Sequence, residues 1–197
     1  MQKLLIALGL VLVLAMGASA QMEETGLTAK GFKVGLNMAN LTGDIDGNAM
    51  KMGIAGGVFM TYTFSPGVAM QPEVMYVMHG TKEDGGDGKI KLDYIDVPIL
   101  FKYSFPTEGN FKPNLFAGPM VGLLMSAKMD DNDIKDGMKD INFGAAFGIG
   151  ATMQMETMAV TMDARYTLGL TNTLDIPDEV DVSWKTGDIS IMLGLAF

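Results

Sequence analysis

The sequence predicts an all-β chain: an eight-stranded antiparallel transmembrane β-barrel, wound as an up-and-down meander behind an N-terminal signal peptide. Three observations predict it. First, the chain end alternates. Ile189, Ile191, Leu193, Leu195 and Phe197 fall on one face, and Asp188, Ser190, Met192, Gly194 and Ala196 on the other. Period two with one large apolar face and one small or polar face marks a strand between two different environments. Second, seven earlier segments share this alternation, and polar breaks separate them. Third, the breaks are in turn long and acidic, then short and less charged. A hydrophobic strand at a chain end would offer an open edge for aggregation. A closed barrel in lipid pairs every edge.

The 197 residues suffice for one domain. Residues 1–20 read as a secretory signal peptide. Lys3 is its positive start, residues 4–16 its apolar core, and Ala18-Ser19-Ala20 its small-residue cleavage site. That core is shorter than the ~20 apolar residues of a usual span, which argues against a transmembrane anchor. Residues 21–30 form a short N-terminal segment, and 31–197 the barrel domain. The chain has no cysteine. This excludes a lipid-modified N-terminal cysteine, a disulfide scaffold and thiolate metal sites. The net charge is −9, and more negative once Lys3 is removed; nucleic acid is not an expected partner of such a surface. Apolar residues make up 48%, yet beyond residue 20 they are interleaved with Gly, Thr, Asn and Ser. That is the composition of membrane strands rather than membrane helices.

The first strand is expected over 31–41, with Phe32, Val34, Leu36 and Met38 outward and Lys33, Gly35, Asn37 and Ala39 inward. The second covers 51–64. Ile54, Val58, Met60, Tyr62 and Phe64 face out; Ala55, Gly57, Phe59, Thr61 and Thr63 face in. Ser65-Pro66-Gly67 has turn composition. The third, 68–80, turns Met70, Pro72, Val74, Tyr76 and Met78 to lipid and Gln71, Glu73, Met75, Val77 and His79 inward. The fourth, 89–103, puts Ile95, Val97, Ile99, Phe101 and Tyr103 out and Tyr94, Asp96, Pro98, Leu100 and Lys102 in. Pro72, Pro98 and Pro119 each remove a ladder donor, so bulges or irregular pairing are expected there. The fifth, 111–128, sends Leu115, Val121, Leu123 and Met125 out and Asn114, Gly118, Gly122 and Ser126 in. The sixth, 141–155, alternates Ile141, Phe143, Ala145, Phe147, Ile149 and Ala151 with Asn142, Gly144, Ala146, Gly148, Gly150 and Thr152. The seventh, 158–170, places Val160, Met162, Tyr166 and Leu168 out and Thr161, Asp163, Arg165 and Thr167 in. The closing strand begins near Gly187.

Break lengths set the orientation. The long acidic breaks are 42–50, 81–88, 129–140 and 171–186. Short periplasmic turns alternating with longer outside loops is the outer-membrane pattern, so both termini are expected in the periplasm. Tyr62, Phe64, Tyr103, Phe105, Phe111 and Phe197 all lie near that end and form an expected periplasmic aromatic girdle. A soluble barrel or sandwich would instead bury its apolar face and carry more charge on the other.

Several stretches share an order with a known family: Gly31-Phe32-Lys33-Val34-Gly35-Leu36-Asn37, Phe64-Ser65-Pro66, Gln71-Pro72-Glu73, Lys91-Leu92-Asp93-Tyr94-Ile95-Asp96-Val97-Pro98, Lys102-Tyr103, Ala117-Gly118-Pro119 and Asp163-Ala164-Arg165-Tyr166. Over roughly residues 30–197 the chain resembles the PorT-like outer-membrane β-barrel domain of Bacteroidota. The resemblance implies a small eight-stranded barrel in a Gram-negative cell envelope. It implies no reaction, and the secretion role behind the family's name is not carried over. It also implies that Phe197 is an assembly signal for the barrel-assembly machinery.

Chemistry is expected first in the lumen, where Glu73, Asp96, Lys102, Asp163, Arg165 and Asp188 point inward. The interior of a barrel of about eight strands is just filled by side chains, and buried charges must pair. A salt-bridge plug is expected, with Arg165 bracketed by Glu73, Asp96 or Asp163. The alternative is a narrow proton or ion path. His79 is the only histidine. No nucleophile elbow surrounds Ser126 or Ser190, so His79 reads as a polar lumen or rim residue. One histidine and no cysteine leave no zinc-site spacing, and no cofactor is expected. The outer loops carry Asp44, Asp46, Asp130, Asp131 and Asp133. They lack EF-hand spacing and read as a repulsive solvated surface, or as weak Ca²⁺ or Mg²⁺ sites bridging anionic lipopolysaccharide. Trp184 reads as an interfacial anchor. The 19 methionines, most at lipid-facing phases, are flexible apolar filler.

The expected role is therefore structural or binding, through acidic extracellular loops of a monomer in the outer membrane, without enzymatic activity. Outer-membrane lipid, lipopolysaccharide and the barrel-assembly machinery are the expected partners. A narrow, porin-like ion or solute pore is one alternative. An outer-membrane enzyme using rim carboxylates is another.

Overall fold

The computed structural model describes residues 25–43, 48–83, 89–130, 132–173 and 184–197. The expected signal peptide lies outside the described residues, as do Asp44, Asp46 and Asp131 and the side chain of Trp184. The strands are β1 (Gly26–Gly43), β2 (Asn48–Ser65), β3 (Val68–Glu83), β4 (Lys89–Ser104), β5 (Phe111–Met129), β6 (Asn132–Asp133), β7 (Ile141–Gln154), β8 (Ala159–Gly169) and β9 (Trp184–Ala196). A short 3₁₀ turn, η1, covers Lys135–Gly137. Eight strands are long; β6 is a two-residue return that pairs with the end of β5.

The eight long strands form a closed antiparallel ring in chain order, and β1 pairs with β9 to shut it. In that seam Phe32 stands opposite Leu195 and Leu36 opposite Ile191. The seam runs to the last residue. The Phe197 N–H donates to the Lys30 carbonyl at 2.8 Å, and the Lys30 N–H donates back at 3.0 Å.

Side chains sort as period two dictates. Val34, Ile149 and Leu193 on the outside are 60%, 67% and 56% exposed, while the carboxylates of Glu73, Asp163 and Asp188 are buried inside. A water-soluble barrel is built the other way round. The inner face is rich in glycine because the wall curls tightly. A Cβ on Gly35 would run into the Ile191 carbonyl, and one on Gly118 into the Ile99 carbonyl.

The structure corrects several details. β1 begins at Gly26, not Gly31, and β9 at Trp184, not Gly187. β1, β2 and β3 run on into the breaks expected at 42–50 and 81–88. The break at 129–140 contains β6 and η1. The prolines cause no register shift, but the ladder is interrupted beside each of them, which is the irregular pairing expected there. Pairing of β3 with β4 stops at Pro72 opposite Ile99 and resumes in the same register at Met75 opposite Asp96. Pairing of β4 with β5 likewise passes from Pro98–Met120 to Phe101–Ala117 unchanged. A bulge lies elsewhere: Asp93 faces Ser126, but Tyr94 faces Leu124. Met125 is the extra residue, and it shifts the phase of β5. Ala127 therefore takes the inward, buried position, and Ser126, expected inside, is only half-buried.

Candidate functional site

The candidate site is the lumen, whose buried polar side chains come from inward positions on β1, β3, β4, β5, β7, β8 and β9. Its layer toward the short turns centres on Glu73 of β3. Lys33 Nζ of β1 donates to Glu73 Oε1 at 2.9 Å and to Asp163 Oδ2 of β8 at 2.6 Å. Arg165 Nη2, two residues along β8, stands 2.8 Å from Glu73 Oε2. Gln71 donates to Glu73 Oε1 at 2.6 Å and accepts from Lys102 Nζ of β4 at 3.0 Å. Aromatic rings flank the cations: Lys33 Nζ lies 4.7 Å from the Phe59 ring centre, and the Arg165 guanidinium 5.4 Å from that of Phe116. Such contacts help a cation out of water.

The layer toward the loops centres on His79. Its Nδ1 lies 2.6 Å from Asp188 Oδ2 and its Nε2 3.0 Å from Asp96 Oδ2. Only the imidazolium carries an N–H on both nitrogens, so the protonated ring satisfies both carboxylates. Tyr94 packs edge-on against the ring at 5.2 Å. Between the layers, Ser190 donates to Asn37 Oδ1 at 2.6 Å, and Asn37 donates to the Met78 carbonyl at 3.0 Å. A gap of about 10 Å³ is lined by Asn37, His79, Asp96, Arg165, Asp188 and Ser190, among others. It has room for about one water molecule.

The loop end is capped. After β5 the chain turns back through β6 and η1 and drops Met138 onto Leu92, Tyr94, Leu124 and Ala127, with Ile90 and Ile134 alongside. Three backbone bonds strap this cap down: Ile134 N–H to the Ala127 carbonyl at 3.0 Å, Leu124 N–H to Asp140 at 2.8 Å and Lys139 N–H to Thr173 at 2.8 Å.

All six charged residues read as inward are buried in the lumen. Their partners differ in part from the expected bracket. Arg165 meets Glu73, but Asp163 goes to Lys33 and Asp96 to His79. Lys33 and His79 were missing from the expected charge cluster, although their phase pointed inward. The six girdle aromatics are all exposed at the short-turn end. Tyr62 packs on Phe64 and Tyr103 edge-on against Phe105. Of the loop carboxylates, Asp130 is exposed with φ 48°, and exposed Asp133 accepts the Lys135 N–H at 2.9 Å. Among the described residues, no three acidic or histidine side chains are grouped to hold a metal ion.

No curated protein matches the chain. Among solved structures, Neisserial surface protein A superposes with a TM-score of 0.57 at 14% identity, over 86% of this chain and 99% of that one. At this identity the likeness speaks to the fold alone. The attachment invasion locus protein Ail of Yersinia pestis gives 0.46 at 16% identity, over 88% and 99%. The N-terminal β-barrel domain of Pseudomonas aeruginosa OprF gives 0.42 at 12%, over 87% and 99%. The family model described as "Outer membrane protein beta-barrel domain" matches residues 19–175. That match spans most of the chain, and with the closed antiparallel ring it shows that the chain belongs to the outer membrane protein β-barrel domain family, with its place in the outer membrane.

Proposed function

We propose that the chain is a non-conducting, non-enzymatic scaffold that binds through its loop end. One observation carries this: Lys33, Glu73, Asp163 and Arg165 cross-link the lumen wall to wall, beneath the cap that Met138 forms. A filled interior leaves the loops as the surface on which partners act. Asp130 and Asp133 stand exposed there. They suit a cationic partner or weak Ca²⁺ or Mg²⁺ bridging to lipopolysaccharide, and the sequence adds Asp44, Asp46 and Asp131 to the same acidic breaks. The Ser190 hydroxyl is engaged by Asn37 and both His79 nitrogens by carboxylates, which supports a lumen without a nucleophile. We place the termini in the periplasm on the strength of the aromatic girdle, with residues 1–20 as a signal peptide and the barrel as a monomer. The PorT-like resemblance is the finer family reading that fits these features.

Planar-bilayer recording of the refolded protein tests the central reading: a silent membrane is expected, and reproducible single-channel steps would remove it. The loop-end reading is tested by calorimetry, in which millimolar Ca²⁺ gives heat with the protein and none with Asp130→Asn/Asp133→Asn. A second reading, a proton route, has the gap between the two layers in its favour. A pH-sensitive dye inside proteoliposomes separates it from a sealed plug.

A further inference from the structure

The two charged layers of the lumen meet across the gap of about 10 Å³, and β8 and β9 supply the polar groups that face each other over it. Arg165 stands opposite Ser190, and Thr167 opposite Asp188. Arg165 and Asp188 are therefore diagonal neighbours on the inner face of one strand pair. Such neighbours sit about 7–8 Å apart along the sheet. Each has already given part of its head group to its own layer. Arg165 Nη2 goes to Glu73, and Asp188 Oδ2 goes to His79. One donor and one acceptor are left over. Arg165 Nε and Asp188 Oδ1 are both buried, and neither has a hydrogen-bond partner among the described residues. Both residues border the same gap. A buried polar atom left dry is costly, and more so on a charged group.

We propose that this gap is a binding site for one ordered water molecule, which accepts from Arg165 Nε–H, donates to Asp188 Oδ1 and so joins the two layers into one network. The size fits, since one water needs about 10–15 Å³ of such space. The partners fit as well. A buried water makes about three hydrogen bonds, and the Thr167 hydroxyl and the Asp96 carboxyl group also border the gap. The Arg165 guanidinium beside it disfavours a metal cation, and the Asp96 and Asp188 carboxyl groups disfavour an anion. A neutral molecule that both donates and accepts satisfies the two leftover atoms at once. The inference stands on the cavity and on those atoms, and it is independent of what the loops bind.

A crystal structure of the refolded barrel that resolves ordered water tests occupancy. One density peak is expected within about 3.2 Å of both Arg165 Nε and Asp188 Oδ1. Clear density for both side chains with no peak between them overturns the proposal. Urea unfolding in detergent tests the joining of the layers. Arg165→Met and Asp188→Leu each remove one partner of the water, and their effects on the unfolding constant are expected to be non-additive by about threefold or more. Ala55 also borders the gap and is buried, so the larger side chain of Ala55→Val displaces the water. The same cycle in the Ala55→Val background is expected to be additive. Non-additivity that survives Ala55→Val marks direct attraction between the layers and overturns the bridging role, as does an additive cycle in the parent. Ala55→Val alone is expected to lower the midpoint. A higher midpoint overturns the proposal, because filling a dry cavity stabilises and filling a wet one does not. The parent's density decides occupancy even where a variant fails to fold.

Discussion

Arg165 Nη2 and Glu73 Oε2 stand 2.8 Å apart inside the barrel, both side chains almost wholly withdrawn from water. The other oxygen of the same carboxylate receives Lys33 and Gln71. Glu73 is thus the shared anion of the layer, and its two cations depend on it unequally. Lys33 also has Asp163; Arg165 has no second carboxylate within ion-pair distance among the described residues.

Removing Glu73 is consequently worse than removing Arg165. Breaking a buried pair by deleting one partner costs about 3–5 kcal/mol. Glu73→Ala is expected at the upper end, since it strands Arg165 and half-strands Lys33. Arg165→Ala is expected to cost less, since Lys33 and Gln71 still serve the carboxylate. The double variant should cost less than the sum, as coupled neighbours do. Urea midpoints in detergent micelles measure all three. An unchanged midpoint for Arg165→Ala, or a larger loss there than for Glu73→Ala, would contradict this ordering.

His79 sets up the converse case, one imidazole between two carboxyl groups. His79→Phe is expected to destabilise the barrel by about 3 kcal/mol, because Asp96 and Asp188 are left facing each other without a donor. Neutralising the anions should restore part of the loss, so His79→Phe/Asp96→Asn/Asp188→Asn is expected to be more stable than His79→Phe alone. If the triple variant is the less stable, the triad is held by shape and not by charge.

How far the sequence carried is clearest at these two anchors. Period two alone put Glu73, Asp96, Lys102, Asp163, Arg165 and Asp188 on the inner face, and the structure buries all six. Phase says which face a residue takes, but not its height in the barrel. Lys33 pairs with Glu73 and Asp163 across strands far apart in the chain, and that needs the register between strands. The stagger of a closed sheet is a global property, invisible in any one segment. Ser126 shows the other limit: one extra residue, Met125, inverts every later position of β5. Nothing in the local pattern marks that bulge. The cap escaped for a similar reason. Met138 lies in an acidic break, and its burial comes from β6 and η1, too short to leave a periodic trace.

Curvature gives a third prediction. A side chain on Gly118 would occupy the space of the Ile99 carbonyl and the Leu100 backbone. Backbone on a neighbouring strand cannot step aside without opening the ladder. Gly118→Val is expected to abolish the heat-modifiable folded band on gels. Gly137→Ala, where an added Cβ meets nothing within 4 Å, is expected to fold normally. A folded Gly118→Val barrel would mean that the wall is looser there than its geometry states.

The seam at the chain end gives the last. Phe197 closes the ring with two backbone bonds to Lys30, and its ring lies 5.8 Å from the Lys30 ammonium. Each backbone bond is worth about 0.5–1.5 kcal/mol net, whereas the exposed ring faces lipid and adds little to closure. Deletion and truncation therefore separate two roles. Removing Phe197 should cost about 1–3 kcal/mol of stability, read as a lower unfolding midpoint in detergent. Phe197→Ala keeps the backbone pair and should refold in detergent like the parent. If the aromatic ring is also the signal read by the assembly machinery, both variants should insert poorly into native outer membranes. Normal insertion of Phe197→Ala in cells would show that the last residue acts through its backbone alone.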